Sequence, residues 1–375
     1  MNRQPVTLKC LRLYDHALRT LRVSLDDPVL AQSDASLCAV MVLMVCQLSQ
    51  DLMGTQNEIA TGHCEGAAQL LKARQNHWPA GIIGHKLSLS VCSAVLIESF
   101  YNPRIKFSEV ELRSFSSLLR TGTGAAGTVL SSICDSYMHM SIWESRCDDN
   151  SGVFALPIQV RLTCRSVATA RRELKDIMKL VDTALAGHHP QKAILTLAAR
   201  QLERFDIITI GICLLNNLVA CAIDIESRGA LLADNFRLIR EVLDAADVDS
   251  VEGPFGVTQM PLTLCAAWIA APDPELQAEI EGALAKYRFS VSPMPGIEGY
   301  VSKLQRMKHD FYTRLGMDPA DMTSPTTYRA MDLAHRDPDP VLPQSAAGQA
   351  VSLGRGIAYV KQDERRVAVS LHLNS

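Results

Sequence analysis

Apolar side chains recur at intervals of three and four residues along most of the chain, which is the spacing that places them on one face of an α-helix. The first such stripe consists of Leu11, Tyr14, Leu18, Leu21 and Leu25. This helix is predicted to end at Asp26-Asp27-Pro28, because proline disfavours α geometry in the residue before it. A second helix, with Asp34 as its predicted N-cap, is apolar on every side up to Cys46, and such a helix is normally buried. A third runs from His63 to Arg74.

The same periodicity predicts nine further helices in the rest of the body. They cover residues 86–100, 108–119, 128–143, 157–185, 190–223, 231–245, 258–271, 274–287 and 297–315. Pro190 and Pro274 are placed at helix starts, where a backbone N–H has no acceptor within the helix and its absence in proline costs no hydrogen bond. The glycine-rich stretch 121–127 is predicted to be a connection between helices. No alternating run in this body is long enough to build a sheet. The predicted fold is therefore all-α, a single large multi-helical domain over residues 1–330.

The remaining residues, 331–375, have a different character. Pro338, Pro340, Pro343 and Gly348 give the start of this tail a linker-like composition. Further on, alternating apolar positions would suit a small hairpin at residues 357–371. The preferred prediction is an irregular or disordered tail, with the hairpin as its alternative.

Composition excludes several classes of function. The chain is 47% hydrophobic and only 5% aromatic, which suits helix-on-helix packing. Its net charge of −3 provides no attraction to phosphate backbones, so no direct DNA binding is expected. Eleven cysteines without an apolar leader indicate a reducing intracellular compartment. Six of them are predicted to be small core hydrophobes: Cys38, Cys46, Cys92, Cys213, Cys221 and Cys265.

A membrane span has one candidate, residues 207–223. Asn216-Asn217 interrupts it, Asp206 and Asp224 bound it, and about 17 residues is the lower limit of the spanning range. A buried central helix is predicted instead, with no membrane association.

The first three helices carry a family pattern. Tyr14 precedes Ala17-Leu18-x-x-Leu21-Arg22, Asp34 precedes a long apolar run, and His63-x-x-Gly-Ala-x-x-Leu-Leu-x-x-Arg74 follows. In order and spacing these motifs resemble the regulatory domain of fungal zinc-cluster transcription factors, of the kind called fungal-specific transcription factor domain 2. The pattern departs at Ala60 and Gln75, where the family usually has tryptophan and glycine.

The resemblance implies regulation rather than chemistry, and it brings no catalytic residues. Zinc-cluster factors read DNA through six cysteines that begin with Cys-x-x-Cys, and no Cys-x-x-Cys occurs in these 375 residues. The chain also starts at the tyrosine helix, where family members have further helices before it. It is therefore expected to be either a regulator without its own DNA reader or the product of a gene model that lacks its first exons.

Two motifs offer enzymatic alternatives, and each has a simpler explanation. Gly122-x-Gly124-x-x-Gly127 has dinucleotide-loop spacing, but a helical stretch precedes it where a strand is required. A helix connection is predicted there. Asp148-Asp149 could bind Mg²⁺ in a helical synthase, but a turn-forming sequence follows, and Asp234-Asn235 lacks oxygen ligands at helical spacing. A solvated loop is predicted for the pair.

The remaining candidates are histidines and a basic run. His188-His189 are adjacent, so their side chains diverge and are predicted to lie in a helix connection. His63 is predicted to cap or to pack against the second helix. The basic run is Arg165, Arg171, Arg172 and Lys175, and it is interpreted as a solvated helix face with ion pairs at three- and four-residue spacing. No catalytic residue, cofactor site or metal ligand is expected.

Three functions follow from this. The leading one is a nuclear, pathway-specific transcription regulator that acts through protein partners: a zinc-cluster factor or co-regulator, bound as a homodimer or heterodimer. The second is a helical adaptor or scaffold without a transcriptional role. The third is a helical enzyme.

Overall fold

The computed structural model describes residues 8–52, 62–75, 78, 81–121, 124–145, 155–187, 191–248, 259–291, 298–318, 357–362 and 365–370. Thirteen α-helices lie within these residues, and the all-α fold class is as predicted. They are α1 Leu8–Asp26, α2 Pro28–Ala31, α3 Asp34–Leu52, α4 Gly62–Arg74, α5 Ile82–Tyr101, α6 Glu109–Arg120, α7 Gly124–Ser145, α8 Leu156–Ala186, α9 Lys192–Ile223, α10 Arg228–Val248, α11 Gln259–Ala270, α12 Pro274–Val291 and α13 Glu298–Leu315. A short 3₁₀ turn, Ile225–Ser227, joins α9 to α10.

Several helix ends follow directly from local chemistry. The Ser108 hydroxyl accepts a hydrogen bond from the Glu111 amide, and the Glu111 carboxylate accepts one from the Ser108 amide, so α6 begins with a capping box. The Asp273 carboxylate caps α12 at Leu276 N, 2.7 Å away, directly before Pro274. Gly316, at a φ of 62°, ends α13 with the two hydrogen bonds of a Schellman motif.

Two local predictions were wrong. The N-cap of α3 is Ser33 rather than Asp34: the Ser33 hydroxyl accepts from the Ser36 amide at 3.1 Å. Asp34 is the first helical residue, where its charge is free to pair elsewhere. The stretch 121–127 is also not wholly a connection, because α7 already begins at Gly124.

The core is built around α9. Every residue of this helix from Thr209 to Ile223 is buried, and α7, α8, α10 and α11 pack around it. Asn216 and Asn217, which interrupt the apolar run, find partners for their amide nitrogens inside the protein: Asn216 donates to the Ser132 hydroxyl at 3.0 Å, and Asn217 donates to Asn235 at 2.9 Å. The Asn216 amide oxygen is buried without a hydrogen-bond partner. The candidate membrane segment is therefore the central helix of this fold.

The second helix, α3, is not buried all round as predicted. Ser36, Leu37, Val40 and Leu43 face the core, whereas Ala35, Cys38 and Val42 lie on the opposite face and are exposed. Among the six cysteines predicted to be core hydrophobes, Cys92, Cys213, Cys221 and Cys265 are buried, Cys46 is half-buried and Cys38 is exposed. The reason is position: the helices that pack against α3 cover most of it and leave a strip through Ala35, Cys38 and Val42 exposed.

Hydrogen bonds between residues that are far apart in the sequence join α13 to α5 and α7. Arg314 on α13 donates to Glu144 on α7 at 2.5 Å and to the Ser99 carbonyl at the end of α5 at 2.6 Å. Trp143 donates to the Leu315 carbonyl at 2.9 Å. One cluster of buried apolar side chains extends from Leu37 to Leu315 among the described residues. A single core of this kind agrees with the single multi-helical domain that the sequence predicts.

The tail contains two strands, β1 Ile357–Gln362 and β2 Arg365–Ser370, which pair antiparallel. This is the hairpin that was the alternative to an irregular tail for these residues. Its backbone register pairs Val360 with Val367 and Ala358 with Val369.

Candidate functional site

The residues that carry the family pattern meet in space, in two pairs. The first pair joins α1 to α4: the Tyr14 hydroxyl lies 2.5 Å from His63 Nε2, and the rings meet edge to face. Burial lowers the pKa of His63, and burial together with Cys46 raises the pKa of Tyr14. Both groups are therefore neutral near pH 7, and the contact is an O–H···N hydrogen bond rather than a proton-transfer pair. The partner of His63 is thus on the first helix, whereas the sequence predicted that it caps a helix or packs against the second.

The second pair joins α3 to α4. Arg74 is 3% exposed, and its Nη2 lies 2.5 Å from the Asp34 carboxylate, while Nη1 donates to the Ser33 carbonyl at 2.9 Å. One guanidinium thus holds both the cap residue and the first residue of α3. The pair fixes the start of α3 against the end of α4 and leaves the outer face of α3 free.

The glycine-rich motif has a structural explanation. Gly124 begins α7 with a φ of 54°, a conformation that residues with a Cβ rarely adopt. A Cβ at Gly127 would come within 3.2 Å of the Leu119 and Arg120 carbonyls, so this glycine allows α7 to approach the end of α6. A helix precedes the motif, as predicted, and the strand that a dinucleotide fingerprint requires is not there.

Two other candidates, Asp148-Asp149 and His188-His189, lie outside the residues that the structure describes. Within the described residues, no group of three or more histidine, cysteine, aspartate or glutamate side chains could hold a metal ion. Asp234 is engaged by neighbours: its carboxylate accepts from Asn217 at 3.0 Å and from Arg237 at 2.5 Å.

Two residues of the basic run, Arg171 and Lys175, belong to an ion-pair network between α8, α9 and α10, where the sequence predicted a solvated face for the whole run. Arg171 is buried, with its Nε 3.1 Å from Asp206 on α9 and its Nη2 2.6 Å from Glu241 on α10. Lys175 also reaches Glu241, at 2.9 Å. Burial would lower the pKa of the Arg171 guanidinium, but the two carboxylates outweigh burial and raise it, so the cation is retained. Arg165 and Arg172 remain exposed.

The sequence pattern does not predict this network, because the residues that pair with Arg171 are far from it in the chain. Asp206 and Glu241 follow Arg171 by 35 and 70 residues, so local spacing gives no sign of either. A hint lies in α8 itself, where Arg171 occupies the same face as the apolar Val167 and Leu174. A second such pair joins Arg161 to the buried Asp224, 2.5 Å apart.

Two of the described helices are long and apolar enough to cross a membrane, Ile83–Tyr101 and Lys192–Ile223. Most of the apolar window in the second is buried inside the fold. Core helices of a helical domain have the same length and composition, so these two properties do not by themselves indicate a membrane span.

No protein-family model, curated protein or solved structure matches the chain.

Proposed function

We propose that the chain is a nuclear, pathway-specific transcription regulator that acts through protein partners. The observation that supports this is the meeting of Tyr14 with His63 and of Asp34 with Arg74. These four residues belong to the sequence pattern that resembles the fungal regulatory domain, and they are 49 and 40 positions apart within each pair. A chance resemblance gives no reason for its polar positions to find each other in the fold.

The proposed mode of action is association through the outer face of α3. From Ala35 to Gln50 this helix carries no charged residue, yet Ala35, Cys38 and Val42 are exposed, and Val42 is 52% exposed. A helix of a second regulator, with its own apolar stripe, is the partner that suits an uncharged stripe at this spacing. A related factor that retains a zinc cluster would supply the DNA reading that these 375 residues lack.

The test compares a deletion strain with strains that carry tagged variants. The unaltered protein should be nuclear, and deletion should change the transcripts of a restricted gene set. Val42→Asp places a charge in the stripe and should reproduce the deletion, with loss of co-purifying regulator. Val110→Asp on α6 is the matched control, because Val110 is 71% exposed outside the stripe.

Unchanged transcripts together with a purely cytoplasmic tagged protein would refute the regulatory function. The adaptor would then be favoured, since it uses the same kind of surface without a transcriptional role. If Val42→Asp and Val110→Asp behave alike while deletion alters transcripts, regulation stands and the α3 stripe is not its partner surface.

A further inference from the structure

A groove of about 580 Å³ lies between α6 and α7. This is within the range of about 300–1,000 Å³ that small-molecule sites occupy. Leu112, Cys134 and Met138 contribute apolar side chains to its lining; Leu112 and Cys134 are almost wholly buried, whereas Met138 is partly exposed. Ser116 and Ser117 contribute hydroxyl groups.

An acid and a base face each other across this groove without closing on each other. Arg120 Nη2 lies 3.7 Å from the Asp135 carboxylate oxygen, which is beyond ordinary hydrogen-bond distance. The Asp135 side chain is 29% exposed and the Arg120 side chain 64% exposed. Burial raises the pKa of Asp135 while Arg120 opposes that rise, so the carboxylate is partly desolvated and its ion pair with Arg120 is a long one.

The backbone that holds the pair is fixed on both sides. Gly127 lets α7 approach the Leu119 and Arg120 carbonyls, and the Thr121 amide bonds back to Ser117, so the end of α6 stays helical. Arg120 and Asp135 therefore project from two helices that are closely packed, and the flexible guanidinium can move without a change in the fold.

We propose that this groove binds a free α-amino acid with a large apolar side chain. The ammonium group would donate to the Asp135 carboxylate, the carboxylate of the ligand would accept from Arg120, and the side chain would lie against Met138. An α-amino acid carries its two charges on adjacent groups, so it can bridge an acid and a base that stand a few ångströms apart. A simple amine leaves Arg120 unsatisfied, and a simple carboxylic acid leaves Asp135 unsatisfied. The site is independent of any role in transcription.

The test uses the purified 375-residue protein and three probes that share one apolar group: L-phenylalanine, phenethylamine and 3-phenylpropanoate. Ligand-observed NMR titration should give a Kd of about 0.1–10 mM for L-phenylalanine, as suits a ligand of this size in an open groove. Each of the other two should bind at least about tenfold more weakly, since each loses one charge-assisted contact.

Two variants test the residues. Asp135→Asn and Arg120→Gln should each weaken L-phenylalanine binding about tenfold or more. Arg240→Gln is the matched control, because Arg240 is an exposed arginine paired with Glu279 at 2.6 Å on other helices, and its binding should be unchanged. Any of three results would overturn the proposal. They are no detectable binding of L-phenylalanine at concentrations up to about 10-fold above the expected Kd range, equal affinity for all three probes, and equal effects of the three variants on binding.

Discussion

Replacing Arg171 by methionine tests whether the network between α8, α9 and α10 holds the bundle together. Arg171 is 6% exposed and bridges Asp206 and Glu241, which are themselves only 14% and 27% exposed in their side chains. Methionine keeps most of the apolar stem and removes the charge. Removal of one partner of a buried ion pair costs about 3–5 kcal/mol, because the other charge is left without compensation.

The two carboxylates are not affected equally, and this sets the expected magnitude. Glu241 keeps Lys175 at 2.9 Å and Arg237 at 3.0 Å, so it remains paired. Asp206 loses its contact with Arg171 and becomes the costly group. We therefore expect Arg171→Met to lower the free energy of unfolding by about 3 kcal/mol, the lower end of that range. Adding Asp206→Asn to it should recover about 1–2 kcal/mol, because the uncompensated charge is removed.

The measurement is urea unfolding followed by circular dichroism at 222 nm, with the dependence on urea concentration compared between variants. Arg172→Met is the matched control: Arg172 is the next residue, is exposed and donates to Thr169 at 3.1 Å. Its effect should stay within about 0.5 kcal/mol. If the two methionine variants lose equal stability, or if Asp206→Asn rescues nothing, the network does not stabilise the fold as argued.

Three further predictions concern the core, the pH response and DNA. Leu43→Asp should unfold the N-terminal helices, since Leu43 is 5% exposed and faces the core, whereas Val42→Asp on the exposed face should cost under about 1 kcal/mol in the same urea assay. Burial lowers the pKa of His139 from 6.5 to about 4, so the unfolded chain takes up this proton first. Stability should therefore fall as pH drops from 6.5 to 4, by up to about 3 kcal/mol from this group, and His139→Gln should show a smaller fall in thermal scans across that range. The purified 375-residue chain, with a net charge of −3, should bind duplex DNA weakly and without sequence preference, and a sequence-specific gel shift would contradict this.

Helix positions could be predicted from the sequence because they depend on neighbours in the chain. The spacing around residues 157–185 and the Ser108 cap both reappear in α8 and α6. The burial of α3 could not be predicted in the same way. Apolar residues occupy all sides of this helix. The helices that pack against it bury Leu43 and leave Val42 exposed. Periodicity describes a helix by itself, whereas burial depends on which other helices surround it.

The polar positions show the same division between local and tertiary information. The spacing of Arg171, Arg172 and Lys175 is compatible with a solvated face, and nothing within one turn contradicts that interpretation. In the fold, Arg171 faces Asp206 and Glu241, whereas Arg172, one residue further along the helix, faces solvent. The residues of the family-like motif lie far apart in the chain, and the fold brings four of them together in two pairs. Tyr14 with His63 and Asp34 with Arg74 are tertiary contacts, so a pattern that contains all four holds information about the fold that no single helix carries. Tyr14, His63, Asp34 and Arg74 lie between helices, α1 with α4 and α3 with α4, so their contacts set how these helices pack against one another.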